Sequence, residues 1–258
     1  MRNSHIIVLL IMSWIIAAPA HAQTPVSGDW SGYYAGGSLG VAKGVADTKA
    51  ATAIGGASSY FTSPDDTQIA SAGNGSLSES GLSGGFFSGF GKQYGSTLVG
   101  VEISANSLRV DDARSRTATY ITAPTAQFTL RQEVKADWQG TLRLRLGYAQ
   151  KDWLAYVTGG AAVTRVKLNS SFSDNFMLDA SGQRSNSETK VGWTLGVGGE
   201  YALRKNWSIR GQYLYADFGD VDTQSVVTNP SFPALSNNLR NSTELKTHTF
   251  SVGLAYHF

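Results

Sequence analysis

The chain has 258 residues, with 21 Lys and Arg against 19 Asp and Glu, 29 Gly and no Cys. The lack of cysteine excludes disulfides, thiolate metal sites and a cysteine nucleophile, and the near-balanced charge excludes the basic footprint of a nucleic-acid partner. Aromatic residues at 11% argue against disorder, and the charged share of 16% is below the quarter usual for soluble domains.

In chain order, residues 1–22 come first. They begin with Arg2, run apolar from Ile6 to Ala18 with only Ser13 interrupting, and end Ala20-His21-Ala22. A basic start, a short apolar run and a small-x-small end predict a cleaved secretory signal. The run is too short for the roughly 20 residues a membrane helix needs. The mature chain is expected to start at Gln23, which leaves a soluble exported protein and an outer-membrane barrel as the two broad readings.

Downstream, stretches of alternating pattern predict strands near Trp30–Val41, Gly81–Lys92, Thr97–Leu108, Val134–Ala149, Trp153–Leu168, Thr189–Leu203, Trp207–Gly219 and Glu244–Phe258. Three connections are short, at Gln93–Ser96, Gln150–Asp152 and Arg204–Asn206. The other four, near 42–80, 109–133, 169–188 and 220–243, are rich in Ser, Thr, Asn, Asp and Gly and are expected to be long surface loops. Strict alternation of short and long connections fits an all-β fold: one eight-stranded antiparallel up-and-down transmembrane β-barrel over residues 23–258.

Strand parity supports this reading with an energy. In Thr141–Tyr148 one face is Leu142, Leu144, Leu146 and Tyr148, while the other carries Arg143 and Arg145. Turning that strand over would put both arginines toward lipid, at roughly 2–4 kcal/mol each near the midplane. Val99, Val101 and Ile103 oppose Glu102 and Ser104 in the same way, and Trp193, Leu195 and Val197 oppose Thr194, Gly196 and Gly198. The second face reads as small or polar throughout, which suits a lumen and not a sandwich core. Trp30, Trp153 and Trp207 open rising strands, and Tyr94, Tyr148, Tyr201 and Phe258 lie near the ends of descending ones. Together they predict an aromatic girdle at the periplasmic interface.

At this point several segments resemble a known family. They are Trp30-Ser-Gly-Tyr-Tyr-Ala-Gly36, Arg143-Leu-Arg-Leu-Gly-Tyr148, Tyr156-Val-Thr-Gly-Gly-Ala-Ala162, Gly192-Trp-Thr-Leu-Gly-Val-Gly-Gly-Glu-Tyr201, Tyr213-Leu-Tyr-Ala-Asp-Phe-Gly219 and Val252-Gly-Leu-Ala-Tyr-His-Phe258. The sequence resembles the small porin-like outer-membrane β-barrel surface antigens of alphaproteobacteria, built on an OmpA-type eight-stranded barrel. The resemblance implies residence in the bacterial outer membrane, with its lipid as one partner. It also implies a C-terminal strand read by the barrel-assembly machinery, with Phe250, Val252, Leu254, Tyr256 and Phe258 as the outward set. Gln212 stands where the resemblance leads one to expect an acid.

Parity sends Glu102, Arg143, Arg145, Glu200 and Arg210 into the lumen, with Gln212 beside them. Such charges must be paired or hydrated. The expected arrangement is a plug of mutually satisfied side chains, since eight strands leave an interior that side chains can fill. The alternative is a narrow charge-lined pore, which would make the protein a low-conductance porin. A soluble lipocalin-like barrel would instead point apolar side chains inward.

Catalytic and metal sites find little support. The mature chain has only His248 and His257, nine residues apart on one strand with opposite parity, about 30 Å at 3.3 Å per residue. The acidic pairs Asp65-Asp66 and Asp111-Asp112 read as solvated loop residues. Gly84-Gly85, Gly159-Gly160 and Gly198-Gly199 fall inside strands with no helix following, so they carry no nucleotide fingerprint. No enzyme activity and no cofactor are expected. The long loops are the remaining place for a surface ligand, with Tyr60-Phe61 and Phe232-Pro233 as their aromatic content.

Overall fold

The computed structural model describes residues 28–52, 59–176, 180–204, 206–229 and 234–258. The signal segment 1–22 and Phe232-Pro233 lie outside the described residues. Eight strands follow in order: β1 (Gly32–Thr52), β2 (Gly75–Tyr94), β3 (Thr97–Thr119), β4 (Gln127–Ala149), β5 (Trp153–Asp174), β6 (Ser181–Arg204), β7 (Trp207–Thr228) and β8 (Ser236–His257). A nine-residue helix, α1 (Asp65–Gly73), lies between β1 and β2. Each strand pairs antiparallel with its sequence neighbour, and β1 pairs with β8 to close the barrel.

The alternation seen in the sequence becomes two surfaces. Arg143 is 1% exposed and its neighbour Leu144 is 71% exposed on the outer wall. On β4 the outward apolar run extends from Trp138 to Tyr148. Ten residues at 3.3 Å, tilted by about 40°, stand about 25 Å tall, the height of a membrane-facing belt. That outward belt excludes the soluble lipocalin-like reading.

Three of the four expected long loops are mostly wall, and the first, 42–80, is wall at both its ends. The strands extend through much of 42–80, 109–133, 169–188 and 220–243, and the connections shrink to 53–74, 120–126, 175–180 and 229–235. The physical reason is that the barrel rises well above the membrane, where its outer face meets water. There Thr129, Arg131, Glu133 and Lys135 point outward while Phe128, Leu130, Gln132 and Val134 point inward. Outward polarity of this kind looks like a loop when lipid-facing residues are the criterion for a strand. Asp111 and Asp112 accordingly lie on β3, with Asp111 paired to Lys135 across to β4 at 3.1 Å, and not in a loop.

A bulge marks the change of environment. The β4–β5 register passes from Ala136↔Val166 to Gln139↔Thr164, so β4 carries one extra residue there. The bulge switches the inward set of β4 from even to odd numbers. Above this level two seams appear. The β2–β3 ladder stops at Gly85↔Asn106, and the β6–β7 ladder is interrupted between Trp193↔Asp217 and Ser181↔Thr228. The outer half of the wall therefore consists of two four-stranded sheets, β7-β8-β1-β2 and β3-β4-β5-β6.

Between those sheets lies an apolar core, which corrects the expectation of a small or polar lumen throughout. Ala42, Leu77, Leu108, Val134, Val166, Leu168, Phe218 and Leu245 are buried together just above the membrane level. Higher still, Phe61, Ile69, Tyr120, Phe128, Leu130, Phe172 and Leu239 form a second cluster under α1. Here the outer surface has no lipid to satisfy, so the fold gains its hydrophobic stabilisation inward, as a soluble domain does.

Candidate functional site in the barrel lumen

β3, β4, β6 and β7 each direct ionic side chains to one level of the lumen, halfway up the lipid-facing belt. Register places Glu102 opposite Arg143 and Glu200 opposite Arg210, and all five ionic groups are buried. Glu102 is the hub. Its carboxylate accepts from Arg143 Nη2, from Arg210 Nη1 at 2.7 Å and Nη2 at 3.0 Å, and from the Tyr34 hydroxyl at 2.8 Å. Glu200 accepts from Arg145 Nη2 and from the Ser208 hydroxyl at 2.5 Å. Gln212 Oε1 accepts from Arg210 Nη2 and from the Tyr156 hydroxyl at 2.9 Å.

Aromatic faces complete the packing. Arg145 sits 3.7 Å above the Tyr156 ring centroid and Arg210 sits 3.8 Å from that of Phe87. Such cation–π contacts replace part of the lost hydration of a guanidinium. Glycine makes the arrangement possible at two points. A Cβ on Gly89 would strike the Tyr34 phenol, and one on Gly198 would strike that of Tyr156. The structure thus brings together all six lumen residues expected from parity. Tyr34, Tyr156 and Ser208 join them, none of them expected at this site although parity places each on the inner face, and His257, considered above only as a catalyst, joins through Glu200.

Trp30 is not part of the girdle. It is 2% exposed and closes the periplasmic end of the lumen, packed among Leu98, Ala149, Leu154 and Tyr156. Its indole Nε1 donates to the Gln150 carbonyl at 3.0 Å, and His257 meets it edge-on with ring centroids 5.7 Å apart. Strand alternation does not govern this residue because β1 begins only at Gly32. Tyr94, Tyr148, Trp153, Tyr201 and Trp207 do face outward, and the C-terminal set Phe250, Val252, Leu254, Tyr256 and Phe258 lies on the same outer surface. Trp138 and Trp193 stand at the upper edge of the belt, with Tyr215 beside Trp193 at 5.2 Å between ring centroids, a second girdle that the sequence did not lead one to expect.

The outer end is closed by the segment expected to hold exposed aromatics. Phe61 is 2% exposed, and it packs against Phe172 with centroids 5.3 Å apart. Tyr60 and Tyr120 both donate to Asp174 Oδ2, at 3.0 and 2.6 Å. Burial above all, reinforced by that carboxylate, pushes both phenols above the usual tyrosine range. Asp65 is likewise not solvated: it is buried and accepts from the Ile121 and Thr122 amides at 2.9 and 3.1 Å, fastening α1 to the β3–β4 connection.

His257 Nε2 lies 3.0 Å from both Ser208 Oγ and Glu200 Oε1. Serine and acid therefore meet the same ring nitrogen, whereas a proton relay needs them on opposite ones. His248 faces outward and pairs with the Tyr213 hydroxyl at 2.7 Å. Among the described residues no three His, Cys, Asp or Glu side chains cluster as metal ligands.

The family model and the sequence relatives agree with this architecture. Residues 7–258 match the family model described as the outer membrane protein beta-barrel domain. The chain is 32% identical over 232 residues to the 31 kDa outer-membrane immunogenic protein of Brucella melitensis, covering 87% of this chain and 84% of that protein. It is 30% identical over 142 residues to a 22 kDa outer membrane protein of Rhizobium leguminosarum, 55% of each. Among solved structures, the outer membrane protein OprG of Pseudomonas aeruginosa aligns with 90% of this chain and 99% of its own, at 14% identity and a TM-score of 0.45. The chain belongs to the outer membrane beta-barrel domain family and is an integral β-barrel protein of the bacterial outer membrane.

Proposed function

We propose that the protein is a closed, non-catalytic scaffold that carries a polar, strand-built surface above the outer membrane. The observation that supports this best is the filling of the lumen at successive heights. Trp30 closes the periplasmic end, the Arg–Glu network fills the membrane level, and two apolar clusters fill the outer half. A conducting path would have to open all of these. Reconstitution in a planar bilayer tests the reading: the scaffold gives no discrete current steps. Steps that change in the Arg143→Ala variant would establish the low-conductance porin in its place.

Absence of catalysis is part of the same proposal, supported by the way Ser208 and Glu200 share one nitrogen of a buried His257. Residence in the outer membrane makes the protruding wall the surface offered to the outside. Its outward side chains, among them Arg131, Lys167, Gln183 and Arg240, are exposed and polar. A surface ligand would meet this wall and not Tyr60-Phe61, which is folded inward. On the opposite side of biogenesis, the outward Phe250, Val252, Leu254, Tyr256 and Phe258 would be the residues engaged by the assembly machinery. Replacing Phe258 by Ser should then slow insertion in an assembly assay with purified machinery while leaving spontaneous folding in detergent unchanged.

A further inference from the structure

The membrane-level network has one more cation than anion. Three guanidinium groups, Arg143, Arg145 and Arg210, face two carboxylates, Glu102 and Glu200, and none of the five is more than 5% exposed. His257, 3.0 Å from Glu200, brings no negative charge to the network. Tyr34, Tyr156, Gln212, Ser208 and Thr141 around them are neutral.

The same region holds unmatched donors. Arg143 Nε, Arg143 Nη1 and Arg145 Nε are buried without a hydrogen-bond partner among the described residues. Both side chains project from successive inward positions of β4. Arg143 is the less well paired of the two: two of its donors are unmatched against one of Arg145, and Arg145 adds to its Glu200 bond a 4.0 Å approach to Glu102 and the Tyr156 ring at 3.7 Å. Buried donors are nearly always satisfied, by protein, water or an ion. A water molecule would satisfy the N–H groups and leave the surplus charge in a low-dielectric interior, where an uncompensated ion is costly. A monovalent anion answers both demands at once. Eight strands leave room only for side chains and small species, which disfavours a larger or doubly charged oxyanion.

We propose that the lumen binds one small monovalent inorganic anion of the halide class at Arg143 Nε and Nη1, with Arg145 Nε as the neighbouring donor. Gln212 supplies an internal control. Its Oε1 already accepts from Arg210 and Tyr156, so a carboxylate at this position keeps both bonds and adds the missing negative charge. Gln212→Glu is therefore expected to substitute for the bound ion.

The test uses the purified mature barrel in detergent. Crystals grown in sodium bromide should show an anomalous bromine peak within hydrogen-bonding distance of the Arg143 guanidinium. The unfolding midpoint should rise and saturate with bromide or chloride, measured against gluconate at equal ionic strength. Gln212→Glu should raise the midpoint in gluconate and abolish the halide dependence. Bromine peaks confined to the exposed surface, equal wild-type midpoints in the two salts, or undiminished halide dependence in Gln212→Glu would each overturn the proposal.

Discussion

Replacing Glu102 by Gln keeps the size of the side chain and removes the charge on which Arg143 and Arg210 converge. The wild-type carboxylate receives three guanidinium N–H groups and the Tyr34 hydroxyl. Hydrogen bonds to charged groups contribute roughly 1.5–3 kcal/mol each, and the amide oxygen of Gln retains part of them. What remains is two buried guanidinium groups with diminished compensation, and breaking a buried pair in this way costs about 3–5 kcal/mol. Glu133→Gln is the matched control. Glu133 contacts Lys135 at 2.8 Å on the outer wall, where Lys135 keeps Asp111 as a partner, so its loss should cost less than about 1 kcal/mol. Equilibrium urea unfolding in lipid vesicles, followed by tryptophan emission and by the gel mobility of the folded form, measures both. A Glu102→Gln barrel within about 1 kcal/mol of wild type would refute the view that this network stabilises the membrane level.

Three further outcomes follow from other parts of the molecule. Trp30→Ala should lower stability by about 3–5 kcal/mol, the cost of emptying a buried aromatic site; a fully exposed girdle residue would lose far less. Leu144→Arg should cost roughly 2–4 kcal/mol in bilayers because it places a cation in the middle of the belt, and the penalty should shrink when the same substitution is made at Val163 near the upper edge. The third concerns Tyr60 and Tyr120, whose folded values lie above that of a free phenol because burial disfavours the charged form. Their contribution to the outer closure is complete below the ordinary tyrosine pKa of about 10 and is lost as pH rises through the higher folded values. Absorbance titration at alkaline pH should show a late-ionising fraction that Tyr60→Phe and Tyr120→Phe each diminish; an unchanged titration curve would contradict the burial of these phenols.

How far the fold can be read from sequence depends on what surrounds each strand. Between Thr141 and Tyr148 lipid on one side and ions on the other give adjacent residues opposite chemistry, and parity alone assembles Glu102, Arg143, Arg145, Glu200 and Arg210. Above Trp138 the contrast changes sign. Phe128, Leu130 and Val134 turn inward while Arg131, Glu133 and Lys135 face water, so a search for lipid-facing residues passes over a continuous strand. The bulge beside Trp138 adds to the difficulty, because it shifts the inward set by one residue and interrupts the alternation. Trp30, Phe61 and Asp65 were illegible for another reason: each lies outside a strand, and its burial is set by how the segment before β1 or the β1–β2 connection folds back over an end of the barrel. No local pattern encodes that. Signals for the second girdle were present in Trp138 and Trp193, but they become an interface only once the height of each strand is known.

Site-directed spin labelling most directly tests whether one wall passes from lipid into water without ceasing to be a strand. The chain has no cysteine, so single cysteines at 142, 144 and 146 and at 131, 133 and 135 can be labelled without background. In liposomes the first three positions should be accessible to oxygen and shielded from a water-soluble nickel chelate. The second three should show the reverse, with the mobility of ordered strand and not of a free loop. Nickel access at Leu144, or loop-like mobility throughout 131–135, would contradict a lipid belt surmounted by a rigid, water-exposed extension.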